Sequence, residues 1–402
     1  PSPTLDFEVT LTNGNVQLSV ARPTDAYSRY AQSTCARGAA LGLQVASAHA
    51  QGDMQTLLSI LDYSDPDGST IARALPQLSA EAYNQAAAAS LTLQHDLSER
   101  ILEREFALLA EQPRPDTWQL WLMPFAGTME QDASTNALGW DSDYYGLMLG
   151  ADRRLGNDLS AGFHVALAQS DVDSNGWGDA SSDLESYHLG AQALYAPQAW
   201  DGIYLTGQLR LALEHGEMDR QVTIPGYSRN LNSSWHGFTG GALLGAGKDV
   251  SWQHGDHSFS LGPVSFLEYS WLSRPGVDET EGQAARLNTD DEYYDSLQLA
   301  LGAQFSWRAP AQDTMQAQVS LLAAWQHELL DPALSTMAHF ADYGDSGFET
   351  ETEGPDRDSL LMRGSLRLTH ESGFFAEVAL GGQCLRADYS SFNASVQAGF
   401  VF

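Results

Sequence analysis

Apolar and polar residues alternate along the end of the chain, residues 391–402. Phe392 and Val396 fall on one parity, and Asn393 and Gln397 fall on the other. Because successive side chains of a strand point to opposite faces, this segment is predicted to be a strand with one apolar and one polar face. A membrane-embedded strand and a strand of a soluble sandwich share this pattern, so the twelve residues alone leave both open.

The same alternation recurs along the whole region from Trp118 to the end of the chain. It predicts twelve strands, an even number as a single-chain membrane barrel of bacteria requires. The predicted strands cover residues 118–127, 143–155, 159–170, 182–196, 201–216, 235–250, 258–272, 292–308, 315–328, 357–370, 373–388 and 391–402.

Short and long connections alternate between the predicted strands. Five of the connections are short turns, and five are the long segments 128–142, 171–181, 217–234, 273–291 and 329–356. Outer-membrane barrels sort short periplasmic turns and long extracellular loops in this way, whereas a sandwich has no reason to do so. The pattern therefore predicts an all-β membrane protein with a 12-stranded antiparallel transmembrane β-barrel.

Aromatic residues support two membrane interfaces, although they are also common at ordinary strand ends. Rings collect at both predicted ends of the barrel, where amphipathic side chains meet lipid headgroups. One end has Tyr195, Trp200, Trp252, Trp307 and Phe402, and the other has Tyr144, Tyr145, Tyr269, Trp271, Tyr293 and Tyr294.

The region before the barrel has a different character. Residues 7–20 alternate around Asn13-Gly14, which predicts a β-hairpin that packs on a β structure outside this chain. Residues rich in Ala, Leu and Gln then predict short helices over 25–50, 53–62 and 69–76. A longer helix is predicted over 79–111, ending before Pro113 and Pro115. At ~1.5 Å per residue it would be ~50 Å long, and its mostly polar surface predicts a helix enclosed by polar walls.

Charge narrows the possible partners. The chain has 52 acidic and 20 basic residues and a net charge of −32. Such a surface repels nucleic acid, so no nucleic-acid partner is expected. Two cysteines provide no disulfide framework, and no arrangement of residues calls for a cofactor or a metal.

Three motifs make the chain resemble the translocator unit of autotransporters, the type V secretion proteins of Gram-negative bacteria. They are Ala324-Trp325-Gln326-His327-Glu328, Gly354 to Ser359, and the closing Gly399-Phe400-Val401-Phe402. The segment Leu75 to Tyr83 is similar to the approach to the family's pore helix. The resemblance covers residues 25–402. One departure is that Asn84 precedes Gln85, whereas some members cut their passenger free at an Asn-Asn pair on this helix.

The resemblance implies an organisation and a function. Residues 1–24 would be the C-terminal end of a passenger, 25–78 a helical leader or stalk on the extracellular side, 79–117 a pore-plugging helix and linker, and 118–402 the translocator barrel. The unit would anchor and export its passenger through the outer membrane and then be plugged by its helix, without being an enzyme. Its implied partners are outer-membrane lipid or lipopolysaccharide, the barrel-assembly machinery and the passenger, and the barrel is expected to be monomeric. The implied assembly signal is Gly399, Phe400 and Phe402.

Strand parity separates lumen from lipid, because a charge on the lipid face at mid-depth would cost ~2–4 kcal/mol. The rule points a set of charged side chains inward: Arg210, Glu214, Glu268, Glu328, Arg363, Arg367 and Glu377. We expect these side chains to hold the helix through Glu99, Arg100, Glu103 and Arg104, although water could instead solvate them.

Catalytic interpretations are weaker. Gly344-Asp345-Ser346-Gly347 resembles the serine surroundings of a protease but lies in a long acidic loop. His327-Glu328 lacks the second His of a helical zinc site. The inward His164 and His188 leave an outer-membrane hydrolase acting on surface lipid or protein as the alternative function. A general porin is disfavoured, because the predicted helix would block its lumen.

Overall fold

The computed structural model describes residues 2–110, 116–176, 179–312 and 314–402. Its main body is a closed antiparallel barrel of twelve long strands, which confirms the predicted fold class. Eleven pairs, β8–β10 among them, join wall strands that follow one another in the chain, and the pair of β3 with β19 closes the wall. The wall strands are β3 (Trp118–Gln131), β4 (Gly139–Leu155), β5 (Leu159–Asn175), β6 (Ala180–Tyr195), β7 (Ile203–Ile224), β8 (Tyr227–Lys248), β10 (His257–Arg274), β13 (Glu292–Arg308), β14 (Met315–Glu328), β17 (Asp358–His370), β18 (Phe374–Cys384) and β19 (Tyr389–Val401).

The remaining strands are short and lie outside the closed wall or extend it. β9 continues β8 after a break at Asp249 and pairs with the lower part of β10. These strands are β1 (Asp6–Thr12), β2 (Asn15–Ala21), β9 (Val250–His254), β11 (Thr280–Glu281), β12 (Leu287–Thr289), β15 (Leu334–Phe340) and β16 (Phe348–Thr352). The helices are α1 (Thr34–Ala46), α2 (Gly52–Asp62), α3 (Ser69–Gln77) and α4 (Glu81–Ala110), with 3-10 turns at Ser28–Tyr30, Gln198–Trp200 and Gln283–Ala285.

Alternation along each wall strand separates an apolar outer face from a mostly polar lumen. On β7, Leu209 and Leu211 are 66% and 63% exposed, whereas Gln208 and Arg210 between them are buried. In the described part of the chain no helix is both long and apolar enough to cross a membrane, a finding that does not bear on strands. Both ends of the wall region, Trp118 and Phe402, lie at the end of the barrel with the short turns, here called the short-turn end.

The opposite end, the long-loop end, is more ordered than the sequence predicted. The predicted loop 217–234 is mostly paired strand, with Glu217 opposite Ser234 and Ile224 opposite Tyr227. This prediction was wrong because Ile224 and Tyr227 are buried against neighbouring elements, so the hairpin is stabilised beyond the membrane wall. Two other long loops contribute the three-stranded sheet β12–β15–β16.

The three helices α1–α3 lie on the long-loop end and are here called the helical cap. Helix α1 packs on β16, where a Cβ on Gly38 would overlap the Glu349 carbonyl oxygen, so only glycine permits this approach. The predicted helix 25–50 is shortened, because Ser33 caps α1 by accepting the Ala36 N–H. The other two cap helices lie close to their predicted positions.

The longest helix, α4, runs from the long-loop end down the barrel lumen. It begins near the predicted start, with Ser79 accepting the Glu81 N–H at 3.4 Å. Its predicted end at Glu111, and Pro113 and Pro115 beyond it, lie outside the described residues. Residues 177–178 of the predicted 171–181 loop and residue 313, in the short turn between the predicted strands 292–308 and 315–328, also lie outside them.

The N-terminal hairpin β1–β2 has its turn at the predicted Asn13-Gly14, where both residues have positive φ. Its base is attached to the cap by Asp62 of α2, which forms an ion pair with Arg22 and accepts the hydroxyls of Thr4 and Tyr27. The apolar face of the hairpin is exposed, from 46% to 79% for each side chain, and consists of Phe7, Val9, Leu11, Val16, Leu18 and Val20.

Candidate functional site

The interface between α4 and the lumen wall is the largest collection of buried charge in the described structure. Five polar residues of α4 that would face water in an isolated helix are each at most 6% exposed: Gln94, Asp96, Glu99, Arg100 and Arg104. Burying such groups without partners would cost several kcal/mol each. The wall must therefore provide partners for the helix.

Arg363 on β17 provides the densest contact. Its guanidinium lies 3.1 Å from a Glu99 carboxylate oxygen, 3.2 Å from Glu103 and 3.7 Å from Asp96. These acidic residues lie on adjacent turns of one face of α4, so the forked guanidinium can reach all of them. The contact joins one predicted wall residue to both predicted helix carboxylates.

Arg104 of α4 contacts a different part of the wall, on strands β3 and β4. It donates to Asp152 of β4 at 2.5 Å and to Gln119 of β3 at 3.0 Å, between the rings of Trp121 and Phe375. The sequence analysis did not select Asp152, although Leu147 and Leu149 point outward and the same parity rule turns Asp152 into the lumen.

Arg100 differs from the prediction that it would contact a wall charge. It forms an ion pair with Asp96 of its own helix at 2.7 Å and donates to the Ala394 carbonyl at 3.1 Å. Its guanidinium also lies 4.8 Å from the centre of the Phe125 ring. The i, i+4 spacing provides its carboxylate within the helix, so the wall contributes a carbonyl and a ring.

On β7, Arg210 and Glu214 contact polar residues of α4, and these contacts do not involve helix charges. Arg210 donates to the Gln94 side-chain oxygen at 2.8 Å and to Ser98 at 2.9 Å. Glu214 accepts the Ser90 hydroxyl at 2.5 Å. The parity rule therefore found inward residues on this strand, whereas their uncharged partners were not predicted.

Glu268 and Glu328 lie on either side of a histidine that the sequence analysis did not select. His95 of α4 has Nδ1 3.3 Å from Glu268 and Nε2 3.0 Å from the Ser296 oxygen. Ser296 in turn donates to Glu328 at 2.5 Å. The available signal was weak, because a lone polar residue in the middle of a polar helix is not distinctive.

Arg367 and Glu377 were predicted to contact α4, but their described pairing is within the wall. They lie opposite each other on β17 and β18 with an N–O distance of 3.6 Å. Arg367 also stacks on Phe375, 3.8 Å from the ring centre. Direct cross-strand opposition gives each charge a partner, which the parity rule does not detect.

The predicted assembly residues lie on the last wall strand at the short-turn end. Phe400 and Phe402 are 43% and 60% exposed on the outer face, with ring centres 6.4 Å apart. The third, Gly399, lies against the ring of Phe375, which leaves no space for a Cβ.

The mouth of the lumen at the long-loop end is also closed by polar contacts. Arg220 of β7 forms an ion pair with Glu279 at 2.7 Å and donates to the carbonyls of Gln77 and Ser79 just before α4. Asn84 on the first turns of α4 donates to Thr352 at 2.9 Å and to two loop carbonyls. These contacts fix the point at which the chain enters the barrel.

Comparison with known proteins identifies this architecture. The family model described as "Autotransporter beta-domain" matches residues 120–379, more than half of the chain. The chain belongs to the autotransporter β-domain family. It is therefore an outer-membrane translocator for an attached passenger, as the sequence analysis predicted. The short-turn end of this autotransporter barrel faces the periplasm, and the long-loop end faces the cell exterior.

Solved translocators share the fold of this autotransporter domain. The translocator domain of the autotransporter NalP from Neisseria meningitidis is 17% identical, with a TM-score of 0.59 over 80% of this chain and 99% of that one. The transport unit of the autotransporter AIDA-I from Escherichia coli is 13% identical, with a TM-score of 0.50 and the same coverage.

Two curated relatives that match this chain are much longer than the matched region. Two extracellular serine proteases of Serratia marcescens are 23% and 22% identical over 345 residues, which cover 83% of this chain and 31% of each relative. The chain thus spans about a third of the length of the curated relatives that it matches.

Proposed function

We propose that α4 is the resident plug of this translocator, which occupies the lumen once the passenger has reached the cell surface. The observation that carries the proposal is the buried charge of α4, for which the wall provides matched partners at Arg363 and Asp152. A lumen that served only for diffusion would need neither these partners nor a helix.

The segments before α4 fit the order of an exported chain. Residues 1–24 are assigned to the C-terminal end of the passenger, because the hairpin exposes an apolar face suited to further β structure. Residues 25–78 form an extracellular cap rather than an extended stalk, since α1 packs on β16 and α3 on β7. Residues 79–117 are assigned to the plug and its linker, and 118–402 to the barrel.

The passenger is proposed to be a serine protease. The support is the name of the two Serratia marcescens relatives, of which this chain matches about a third. Asn84 bears on its release, since the side-chain amide of Asn84 donates to Leu334, Thr350 and Thr352 and is not free to attack its own carbonyl. Cutting at this residue is therefore disfavoured, and the passenger is expected to leave by another cut or to stay attached.

The translocator itself is proposed to act without catalysis. Ser346 is fully buried and bonds to the backbone of Tyr343 and Phe340, a structural role within the loop. His164 contacts Gln192, and His188 contacts Ser186. No group of three metal-ligating side chains occurs among the described residues. These contacts give the alternative outer-membrane hydrolase no support at the residues selected for it.

The remaining proposed partners follow from the surface. The outward Leu side chains of the wall fit the hydrocarbon of an outer membrane, whose outer leaflet is lipopolysaccharide. The exposed Phe400 and Phe402 at the periplasmic end are suited to recognition by the barrel-assembly machinery. Since each of the twelve long wall strands pairs with a neighbour on both sides, a monomeric barrel is proposed.

The plug proposal is tested by removing α4. A variant that begins at Asp116 is compared with the full chain and with a control that begins at Ser79, which lacks the hairpin and the helical cap but keeps α4. In planar bilayers the variant without α4 should conduct at least about tenfold more than the full chain, as an open water-filled lumen does. The control should conduct like the full chain. Equal conductance of all three folded barrels would refute the plug.

A further inference from the structure

His95 is the only histidine of α4, and it lies near the middle of the helix. Its ring is 4% exposed. Nδ1 faces the Glu268 carboxylate of β10 at 3.3 Å, and Nε2 faces the Ser296 oxygen of β13 at 3.0 Å. Glu328 of β14 lies on the far side of Ser296. These contacts indicate which atoms of Glu328, Ser296 and His95 carry a proton.

Both carboxylate oxygens of Glu328 take part in hydrogen bonds. One of its oxygens accepts the backbone N–H groups of Leu297 at 2.9 Å and Leu330 at 3.1 Å. The other lies 2.5 Å from the Ser296 oxygen. Because backbone N–H groups only donate, the arrangement favours an ionised Glu328 that accepts three hydrogen bonds. The single hydroxyl proton of Ser296 is then directed to Glu328.

The Ser296 contacts determine which nitrogen of His95 carries a proton. Ser296 uses its only hydroxyl proton in the hydrogen bond with Glu328, so its oxygen can only accept a hydrogen bond from the His95 ring. The Nε2 atom of His95 must therefore be the donor. A neutral imidazole has one N–H. Nδ1 would then be a bare acceptor facing the Glu268 oxygen, an unfavourable contact in a buried site. A second proton between Nδ1 and Glu268 removes this conflict.

The surrounding charges decide where that second proton lies. Burial opposes a charge on the ring, but three carboxyl groups face it: Glu268 and Glu328 on the wall and Glu99 on the helix. Arg210 faces Glu268, and Arg386 faces Glu328. The arrangement is therefore an ion pair of protonated His95 with ionised Glu268.

We propose that His95 is a positioning residue that, in its doubly protonated form, holds the pore helix to β10, β13 and β14, and that raising the pH releases this contact. The proposal rests on the proposed plug function of α4. A cavity of about 70 Å³ lies between the helix and the wall, and its lining joins His95 and Ser296 to Asp331 and Arg386 of the extracellular loops. This cavity gives the ring a route for proton exchange with the cell exterior.

A serine hydrolase has the same residue types, and the contacts disfavour it. In a Ser-His-carboxylate triad the serine gives its proton to the histidine, which the carboxylate orients. Here the Ser296 hydroxyl is directed to Glu328, and the distance of 2.5 Å is shorter than the 3.0 Å to His95. The geometry makes Ser296 a relay between two charged groups rather than a nucleophile.

The test measures the conductance of the full chain in planar bilayers between about pH 5 and about pH 9. A histidine with a carboxylate partner stabilises the plugged state at low pH, and that contribution is lost as the pH rises. The wild type should therefore open more at high pH, by about fivefold or more. His95→Gln should open to the same extent at every pH. The matched control is His188→Gln, a buried lumen histidine on β6 whose described contact is Ser186, and it should keep the wild-type profile.

A second measurement protects the proposal against poor folding of one variant. The His95→Gln, Glu268→Gln double variant removes the Glu268 carboxylate that the single variant leaves without its histidine, so its conductance should return toward the closed wild type and stay independent of pH. Nitrogen NMR of labelled histidine should show a doubly protonated ring in the wild type at about pH 6. A neutral ring, or a His95→Gln profile with the wild-type slope, would overturn the proposal. Labelling of Ser296 by a fluorophosphonate would overturn it in favour of the hydrolase.

The two proposals fail separately. If the variant beginning at Asp116 conducts no better than the full chain, the plug function itself is wrong. If that variant conducts more than the full chain while the conductance of His95→Gln changes with pH as in the wild type, the plug function is supported and only the proposed role of His95 is wrong.

Discussion

The helical cap and the pore helix close the same barrel by opposite means. The cap buries apolar side chains, and Leu57, Leu61, Ile71 and Leu75 are fully buried. The pore helix buries charges that need particular partners on the wall, as Glu99 needs Arg363. Apolar burial is non-directional, whereas a buried ion pair is strongly destabilised when either partner is lost. Closure of the lumen therefore depends on a few pairs, and closure of the mouth depends on many small contacts.

The lower part of α4 differs from the charged middle of the helix, because it packs against the wall through apolar side chains. Leu102, Phe106 and Leu108 pack with Tyr204, Leu243, Val264 and Phe266 in an apolar cluster toward the periplasmic end. Apolar residues point into the lumen here on several strands. Above this cluster Leu93 and Leu97 of α4 share an apolar cluster with Phe125 of the wall, and the charged groups of the helix there also need hydrogen bonds and ion pairs with the wall.

The largest expected effect is at Arg363. Arg363→Gln leaves the carboxylates of Asp96, Glu99 and Glu103 without their shared cation, which should destabilise the plugged state by about 3–5 kcal/mol. Hydrogen exchange of the α4 amides should speed up accordingly, and conductance should rise. The matched control, Arg357→Gln, changes a 44% exposed side chain 4.0 Å from Asp331 and should leave both readouts unchanged. If hydrogen exchange in α4 of Arg363→Gln were as slow as in the wild type, closure of the lumen would not depend on this ion pair.

A smaller effect is expected in the cap. Leu57→Ala removes a fully buried side chain of α2 and should lower the local opening free energy of the cap by about 2–3 kcal/mol, since a helical layer can partly relax. Hydrogen exchange should accelerate in α1–α3, while conductance stays at the wild-type value. Leu41→Ala, at a 49% exposed position of α1, is the control. Pore opening by Leu57→Ala would show that the two closures are coupled.

The smallest effect is expected where the cap meets the tip of the β7–β8 hairpin. Asp53 of α2 forms an ion pair with Arg229 and accepts the Tyr227 hydroxyl at 2.8 Å. Burial raises the pKa of Asp53, but the hydrogen bonds from Arg229 and Tyr227 outweigh it, so this pKa lies below its ordinary value. Partly exposed pairs of this kind contribute about 0–1 kcal/mol.

A lowered pKa in the folded state stabilises the docked cap above the ordinary aspartate pKa of about 4, and this contribution is lost as the pH falls. Asp53→Asn should therefore remove part of the acid sensitivity of cap hydrogen exchange below about pH 4. Asp25→Asn, which changes an exposed carboxylate paired with Arg29, is the control. An unchanged acid response in Asp53→Asn would assign the docking to apolar contacts alone.

The sequence by itself determined the barrel. Because lipid accepts only apolar side chains, alternation along each strand predicted twelve strands and the inward orientation of Arg210 and Arg363. The positive φ that Asn13-Gly14 tolerates likewise predicted the hairpin turn.

Only the tertiary structure decided which charges meet. Strand parity predicts which side of a strand a residue faces. It does not predict how deep α4 lies in the lumen or how the helix is rotated about its axis. It therefore could not pair Arg104 with Asp152, leave Arg367 with Glu377 in the wall, or place His95 between Glu268 and Ser296. The partners of Arg104 and His95 lie far from them in the chain and are brought together only when the barrel closes around α4, whereas Arg367 meets Glu377 through the register of the β17–β18 hairpin.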